Sequence, residues 1–289
     1  MNVIEELFGN LATFVEYAPG VDTNKAMVDY LPSARSARKN IESIISSAVY
    51  VAIVKSQQDD MLDALRAAMA NRTLAAQLVF DSIARRKAGT DVYKYEIEGM
   101  QRAYMENYFA AMDNLIQLLM RGEVKDGSSA KLWKDARYCQ LLDECQLRSA
   151  DEFDLIYPID LSYLFFFRIV PLQRECLDEC LNVYFVKAKN KEDILPMLRL
   201  ALAKKTVAKA LRRFDILEFP PTIRNLFNDN KAFRHGSTEH DNAEKLAASL
   251  EYEADKLLAD ADLLLDEHTV DACSYSHYND SSDLIVMAP

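Results

Sequence analysis

Four histidines and five cysteines are the side chains of this 289-residue chain best suited to nucleophilic, acid–base or metal chemistry, and their spacing serves none of it. His235, His240, His268 and His277 all fall in the last quarter. His235 and His240, with Glu239 and Asp241, bring four ligand-type groups close in sequence, yet they match no tight zinc motif and read as a solvated polar loop. Di-iron bundles need Glu-x-x-His pairs aimed inward, and no histidine here has a glutamate three residues before it. The helical zinc-protease pattern is missing for the same reason. Cys139, Cys145, Cys176, Cys180 and Cys273 are an odd set without zinc-ribbon spacing. Cys176 and Cys180, at i and i+4, share one side of a helix and would hold a metal only with further ligands, so all five read as small reduced residues in a reducing compartment. Glycines at 9, 20, 89, 99, 122, 127 and 236 form neither a P-loop, a dinucleotide fingerprint nor a nucleophile elbow. The sequence therefore predicts no catalytic, cofactor-binding or metal-ligating residues, and a non-enzymatic protein without a cofactor.

The remaining charged clusters read as solvated faces and the aromatic ones as packing. Glu96 and Glu98, or Asp260 and Asp262, stand two residues apart and point in different helical directions, unlike carboxylates that flank one substrate. Tyr93, Tyr95, Tyr104, Tyr108 and Phe109 occupy helical spacings with few cations beside them, so core and interface packing is expected in preference to base stacking. Lys204, Lys205, Lys209, Arg212 and Arg213 form the one basic stretch, read as a solvated face or, less simply, a contact for an acidic partner. A net charge of -11 argues against a broad phosphate-binding surface. In Leu164-Phe165-Phe166-Phe167 the three rings cannot share one helix side. They meet either another element of the chain or another subunit, which makes Phe165, Phe166 and Phe167 candidate subunit contacts.

The elements that must position these groups are helical. Seven glycines and eight prolines are few for the length, which suits long helices with short connections. A duplication organises them. At an offset of 133, Leu62, Leu65, Arg66, Ala68, Ala70, Thr73, Ala75 and Leu78 recur as Leu195, Leu198, Arg199, Ala201, Ala203, Thr206, Ala208 and Leu211. A fixed period is the mark of a repeat architecture. The predicted fold is all-α, two tandem pseudo-repeated three-helix units joined by an irregular connector and flanked by extended terminal segments.

The arm 1–32 contains an amphipathic helix, Asn2 to Tyr17, stopped by Ala18-Pro19-Gly20. The first unit, 33–121, has helices near Ser36–Gln57, Asp59–Lys87 and Asp91–Met120. The connector 122–161 carries Trp133 on a short helix, and its Phe153–Asp160 run reads as extended chain or an edge strand before Pro158. The second unit, 162–270, has helices over Tyr163–Lys189, capped by Ser162 and kinked or divided at Pro171, over Glu192–Phe214, and over His240–Glu267. In the tail, 271–289, a polar spacer precedes Leu284, Ile285, Val286 and Met287, an apolar end suited to docking on a partner or packing on its own domain. No signal peptide is visible, and the most apolar run, Leu161–Leu172, contains Arg168 and is too short to span a bilayer, so no membrane association is expected.

The text Asp91-Val92-Tyr93-Lys94-Tyr95-Glu96, continued by Tyr104, Asn107-Tyr108 and Ala111 to Ile116, resembles an uncharacterised family from phages and prophages of Bacteroides-type bacteria. Ser149 to Phe153, the Ile159 to Phe167 stretch and Glu175 extend the resemblance over about residues 35 to 190. These are packing motifs without catalytic residues. The resemblance implies a virion component assembled in the host bacterial cytoplasm, a head-to-tail adaptor ring of many copies that docks on the portal and links it to the tail. Its acidic lumen would let genome DNA pass without specific binding. A cytoplasmic helical scaffold or regulatory protein-binding module is the alternative.

Overall fold

Every regular element among the described residues is a helix, and no strand forms there. The computed structural model describes residues 3–18, 20–21, 25–56, 59–87, 93–227 and 239–266. The arm divides into α1 (Val3–Phe8) and α2 (Leu11–Tyr17) where a single helix was expected. Gly9 makes the break at φ +72, a left-handed conformation that costs glycine little, and the Asn10 side chain then caps α2 by accepting from Thr13 N at 2.9 Å. The arm packs on the body of the protein. Ile4, Leu7, Phe8 and Phe14 are all buried, and Arg66 Nε donates to the Leu7 carbonyl at 2.9 Å.

A 3₁₀ turn (Met27–Tyr30) leads into α3 (Leu31–Ile45) and α4 (Ser47–Ser56). The sequence pattern gave one helix here. Ser46, at φ +75 and with no glycine or proline to signal it, breaks the run and turns α4 aside. The long helices α5 (Asp59–Lys87) and α6 (Lys94–Arg121) lie along each other, and α3 packs on α5. Basic Arg85, Arg86 and Lys87 close α5 in agreement with its dipole.

The connector is more regular than its composition suggested. It holds α7 (Ser129–Lys134), α8 (Arg137–Leu142) and α9 (Ala150–Ile156). The predicted extended run at Phe153–Asp160 is corrected by α9: Ser149 caps it, its hydroxyl accepting from Glu152 N at 3.0 Å, and Phe153 turns inward, fully buried. Ser162 caps α10 (Tyr163–Cys176) as expected, accepting from Phe165 N at 3.2 Å. Pro171 sits inside α10 without dividing it, and the helix widens only afterwards into a π turn (Leu177–Leu181) before α11 (Asn182–Lys187). Next come α12 (Leu195–Arg213), a 3₁₀ turn (Ile216–Glu218), α13 (Pro221–Phe227) and α14 (Glu239–Asp266), which lies along α12.

One continuous apolar core runs from Ile4 to Leu265 through all of these helices. Asp113 of α6 fastens the α10 N-terminus to it: the carboxylate accepts from Leu164 N at 2.7 Å and from Ser162 Oγ at 3.2 Å. Burial pushes this carboxyl up to about 6 against the lowering effect of those same hydrogen bonds.

Candidate functional site

The three consecutive phenylalanines leave α10 in three directions and each finds a different element. Phe165 packs against Phe219 (5.5 Å between centroids), Phe166 against Phe153 of α9 (6.2 Å), and Phe167 edge-on against Trp133 of α7 (4.9 Å). All three are buried. The subunit contact offered for Phe165, Phe166 and Phe167 is therefore corrected: α10 is enclosed on every side that the rings explore, and no surface of theirs remains for a neighbouring copy. Leu284, Ile285, Val286 and Met287 lie outside the described residues, as do Cys273, His235, His268 and His277.

The thiols are not poised for attack. Burial pushes Cys139 and Cys176 up to about 12 and Cys145 up to about 11, so they stay protonated. Cys180 Sγ points back to the Cys176 carbonyl at 3.8 Å. No group of three or more His, Cys, Asp or Glu among the described residues is arranged to hold a metal. No described helix is long and apolar enough to cross a membrane.

The basic stretch of α12 is part-exposed, Arg212 and Arg213 most of all, and each of its cations is paired within the chain. Lys204 pairs with Glu253 and Lys205 with Asp255 (2.6 Å), both on α14. Arg212 takes Glu244 (2.9 Å) and Glu251. On the other side, Lys209 reaches Glu175 and Glu179 at 3.0 and 2.8 Å, and Arg213 grips Glu175 through both terminal nitrogens. These cations hold the Glu175 carboxyl down to about 2. Much of the acidic face of α14 is thus paired with α12, while its carboxylates stay partly exposed to solvent. Periodicity shows that a face is charged, and says nothing about which other face it meets.

Two features sequence reasoning missed stand out. The first is a cleft of 310 Å³ between α3, α5 and α6 on one side and α10 with the Ile216–Glu218 turn on the other. Arg72 and Arg168 line it, with Asn40, Gln101, Tyr108 and Glu218. Arg168 pairs with Glu218 at 2.6 Å and stacks its guanidinium 5.0 Å from the Phe214 ring centre. With the Asn40 amide assigned so that its oxygen faces Arg72, the orientation that satisfies both groups, Arg72 Nε and Nη2 donate to that oxygen at 3.1 and 2.9 Å, and Nη1 approaches Met105 Sδ at 3.7 Å. No carboxylate among the described residues pairs with Arg72. Burial pushes the Tyr108 phenol up to about 12 although Arg72 and Arg168 oppose that shift. The available signal was Arg168 itself, a cation inside the most apolar run of the chain.

The second is the far end of the α5–α6 pair. From Val79 to Lys87 and from Tyr93 to Met100 no described side chain is buried. Val79, Phe80, Ile83, Tyr93, Tyr95 and Met100 are all exposed there. Tyr93 and Tyr95, expected to pack inside, are 56% and 69% exposed and stack on each other at 5.6 Å. Tyr108, farther along α6, is buried as its spacing predicted. The aromatic pattern continues past the point where the body of the protein stops covering the hairpin.

No known protein family, curated protein or solved structure matches the chain.

Proposed function

We propose that this chain is a non-enzymatic structural protein that assembles through the exposed end of its α5–α6 pair, in the role that the phage resemblance implies: an oligomeric adaptor ring docked on a portal and joined to a tail. The exposed apolar end carries the reading. Six large apolar side chains gathered on one end of a helix pair are a contact surface awaiting cover, and large exposed apolar patches on soluble proteins mark interaction sites. The adjoining Arg85, Arg86 and Lys87 complement a chain whose net charge is -11, so a neighbouring copy offers the acidic surface this end would seek. Head-to-tail contacts of this kind close into rings when the rotation between copies permits.

An internal duplication supports a stiff body. Adding 133 to the bounds of α3, Leu31–Ile45, gives 164–178, over α10; adding it to those of α5, Asp59–Lys87, gives 192–220, over α12. The packing order repeats as well: α3 on α5 on α6, and α10 on α12 on α14. Thr73 and Thr206, equivalent in this register, are both fully buried and both donate to the carbonyl four residues back at 2.7 Å. The third helix of the second half starts later, after the Ile216–Glu218 turn and α13.

Light scattering and negative-stain imaging, with and without portal protein, test the proposal. Wild-type chain is expected to form closed rings, alone or on the portal. The double substitution Phe80→Ser and Tyr95→Ser removes only exposed surface, and it should weaken assembly about tenfold or more while leaving the helical melt unchanged. A chain that stays monomeric at all concentrations, with portal and tail proteins present, defeats the proposal. The cleft beside Arg72 favours one second reading, a cytoplasmic scaffold or regulatory module that binds its partner between the two halves.

A further inference from the structure

We infer that the cleft between the two halves is a binding site for a small organic carboxylate with an apolar body, held end-on by Arg72. A guanidinium carries five N–H donors in one plane. Among the described residues three of Arg72's are engaged: Nε and one on Nη2 with the Asn40 oxygen, and one on Nη1 toward Met105 Sδ. That leaves one donor on each terminal nitrogen, and a guanidinium can donate two such hydrogens, as a fork, to the two oxygens of one carboxylate.

The surroundings make that fork a site. Arg72 is a partly buried cation with no described acidic partner, a costly arrangement unless an anion completes it. Arg168 offers no competing fork, because Glu218 already neutralises it and Phe214 covers one face. Asn40 holds the Arg72 plane in place, so little side-chain freedom is lost when an anion arrives. Ile44, Phe109, Phe165 and Leu217 supply apolar walls, and 310 Å³ lies at the small end of the range for ligand pockets. The opening is bounded by both halves, so an occupied cleft would bind them to each other. This inference is independent of the assembly role, and the assembly test leaves it untouched.

Titration calorimetry on the full chain with 3-phenylpropionate, its alcohol 3-phenylpropanol and inorganic phosphate tests it. The carboxylate is expected to bind roughly ten- to a hundredfold more tightly than the alcohol, the range for a hydrogen bond to a charged group. It should also bind more tightly than phosphate, which gains nothing from the apolar walls. Arg72→Gln should lose that preference, and Arg72→Lys, which keeps the charge without the fork, should fall between. No binding by any probe overturns the inference, and so does equal binding of carboxylate and alcohol to the wild-type chain, a comparison that requires no variant to fold. Phosphate binding as tightly as the carboxylate overturns the apolar part of the ligand class.

Discussion

Replacing Trp133 with alanine is expected to lower stability by about 3–5 kcal/mol, the usual cost of deleting a large ring from a packed core. Trp133 is the only tryptophan of the chain and is fully buried on the short helix α7. Its ring meets Phe167 edge-on, and its Nε1 donates to Met120 Sδ at 3.3 Å. Through Phe167 it fixes the side of α10 opposite to the cleft, so the loss reaches beyond one contact. At roughly 2–4 °C per kcal/mol for chains of this size, the melting temperature should fall by about 10 °C in a circular dichroism melt. Trp133→Phe, which refills most of the volume, should recover most of that. A Trp133→Ala protein within about 1 kcal/mol of wild type would mean that α7 is not seated in the core as described.

The second large effect concerns Asp113 and has an unusual sign. Its carboxyl is raised from the ordinary 3.8 to about 6, with burial as the leading cause. Between those two values the folded chain holds a proton that the unfolded chain has released. Stability contributed by this group is therefore present at low pH and declines as pH rises from about 4 to about 6. The loss is on the order of 3 kcal/mol at neutral pH, from about 1.4 kcal/mol per pH unit of displacement. Asp113→Asn keeps an oxygen for Leu164 N and carries no charge, so it should be more stable than wild type at pH 7 and nearly equal to it at pH 4. Asp113→Ala also relieves the charge but strands the Leu164 N–H, and should be less stable than Asp113→Asn by about 1–3 kcal/mol throughout. Urea titrations of the three proteins from pH 4 to pH 7 measure this, and a difference between wild type and Asp113→Asn that does not change with pH would refute it. Glu175 has the opposite sign: its carboxyl is held low by Arg213 and Lys209, so what it contributes is present above about 4.5 and is lost as the pH falls from there to about 2. Its side chain is about one-third exposed, so solvent screens its ion pairs and their contribution at neutral pH is modest.

How far the residues foretold this architecture depends on which physical signal each element carries. Long amphipathic helices were readable nearly to the residue: Asp59–Lys87 is α5 in full, and His240–Glu267 differs from α14 by one residue at each end. The hydroxyl cap at Ser162 was readable too, because a cap is a local hydrogen bond. Ser149 with Glu152 three residues on was the same kind of sign and was outweighed by Pro158, which acts only beyond the end of α9. The break at Ser46 left no mark, since φ +75 is a conformation that serine rarely adopts and neither glycine nor proline stands there to signal it.

Contacts between distant elements were the least legible. The phenylalanine block was recognised as needing more than one neighbour, yet only the fold shows that Trp133, Phe153 and Phe219 supply them from within. Arg72 carried no signal at all. It becomes chemically distinctive because α3 brings Asn40 to it and no described carboxylate pairs with it, a property of packing between residues more than thirty positions apart in the chain.

The burial of α1 and α2 also bears on how the chain is made. Their partners lie far downstream: Arg66 follows Leu7 by 59 residues, and Asn71, whose side chain bonds the Tyr17 carbonyl, follows it by 54. During synthesis the leading helices must therefore wait, greasy and uncovered, while that length of polypeptide is added behind them. A chaperone stationed at the ribosome exit would find its target in Ile4, Leu7, Phe8 and Phe14, and would have to release them once α5 arrives.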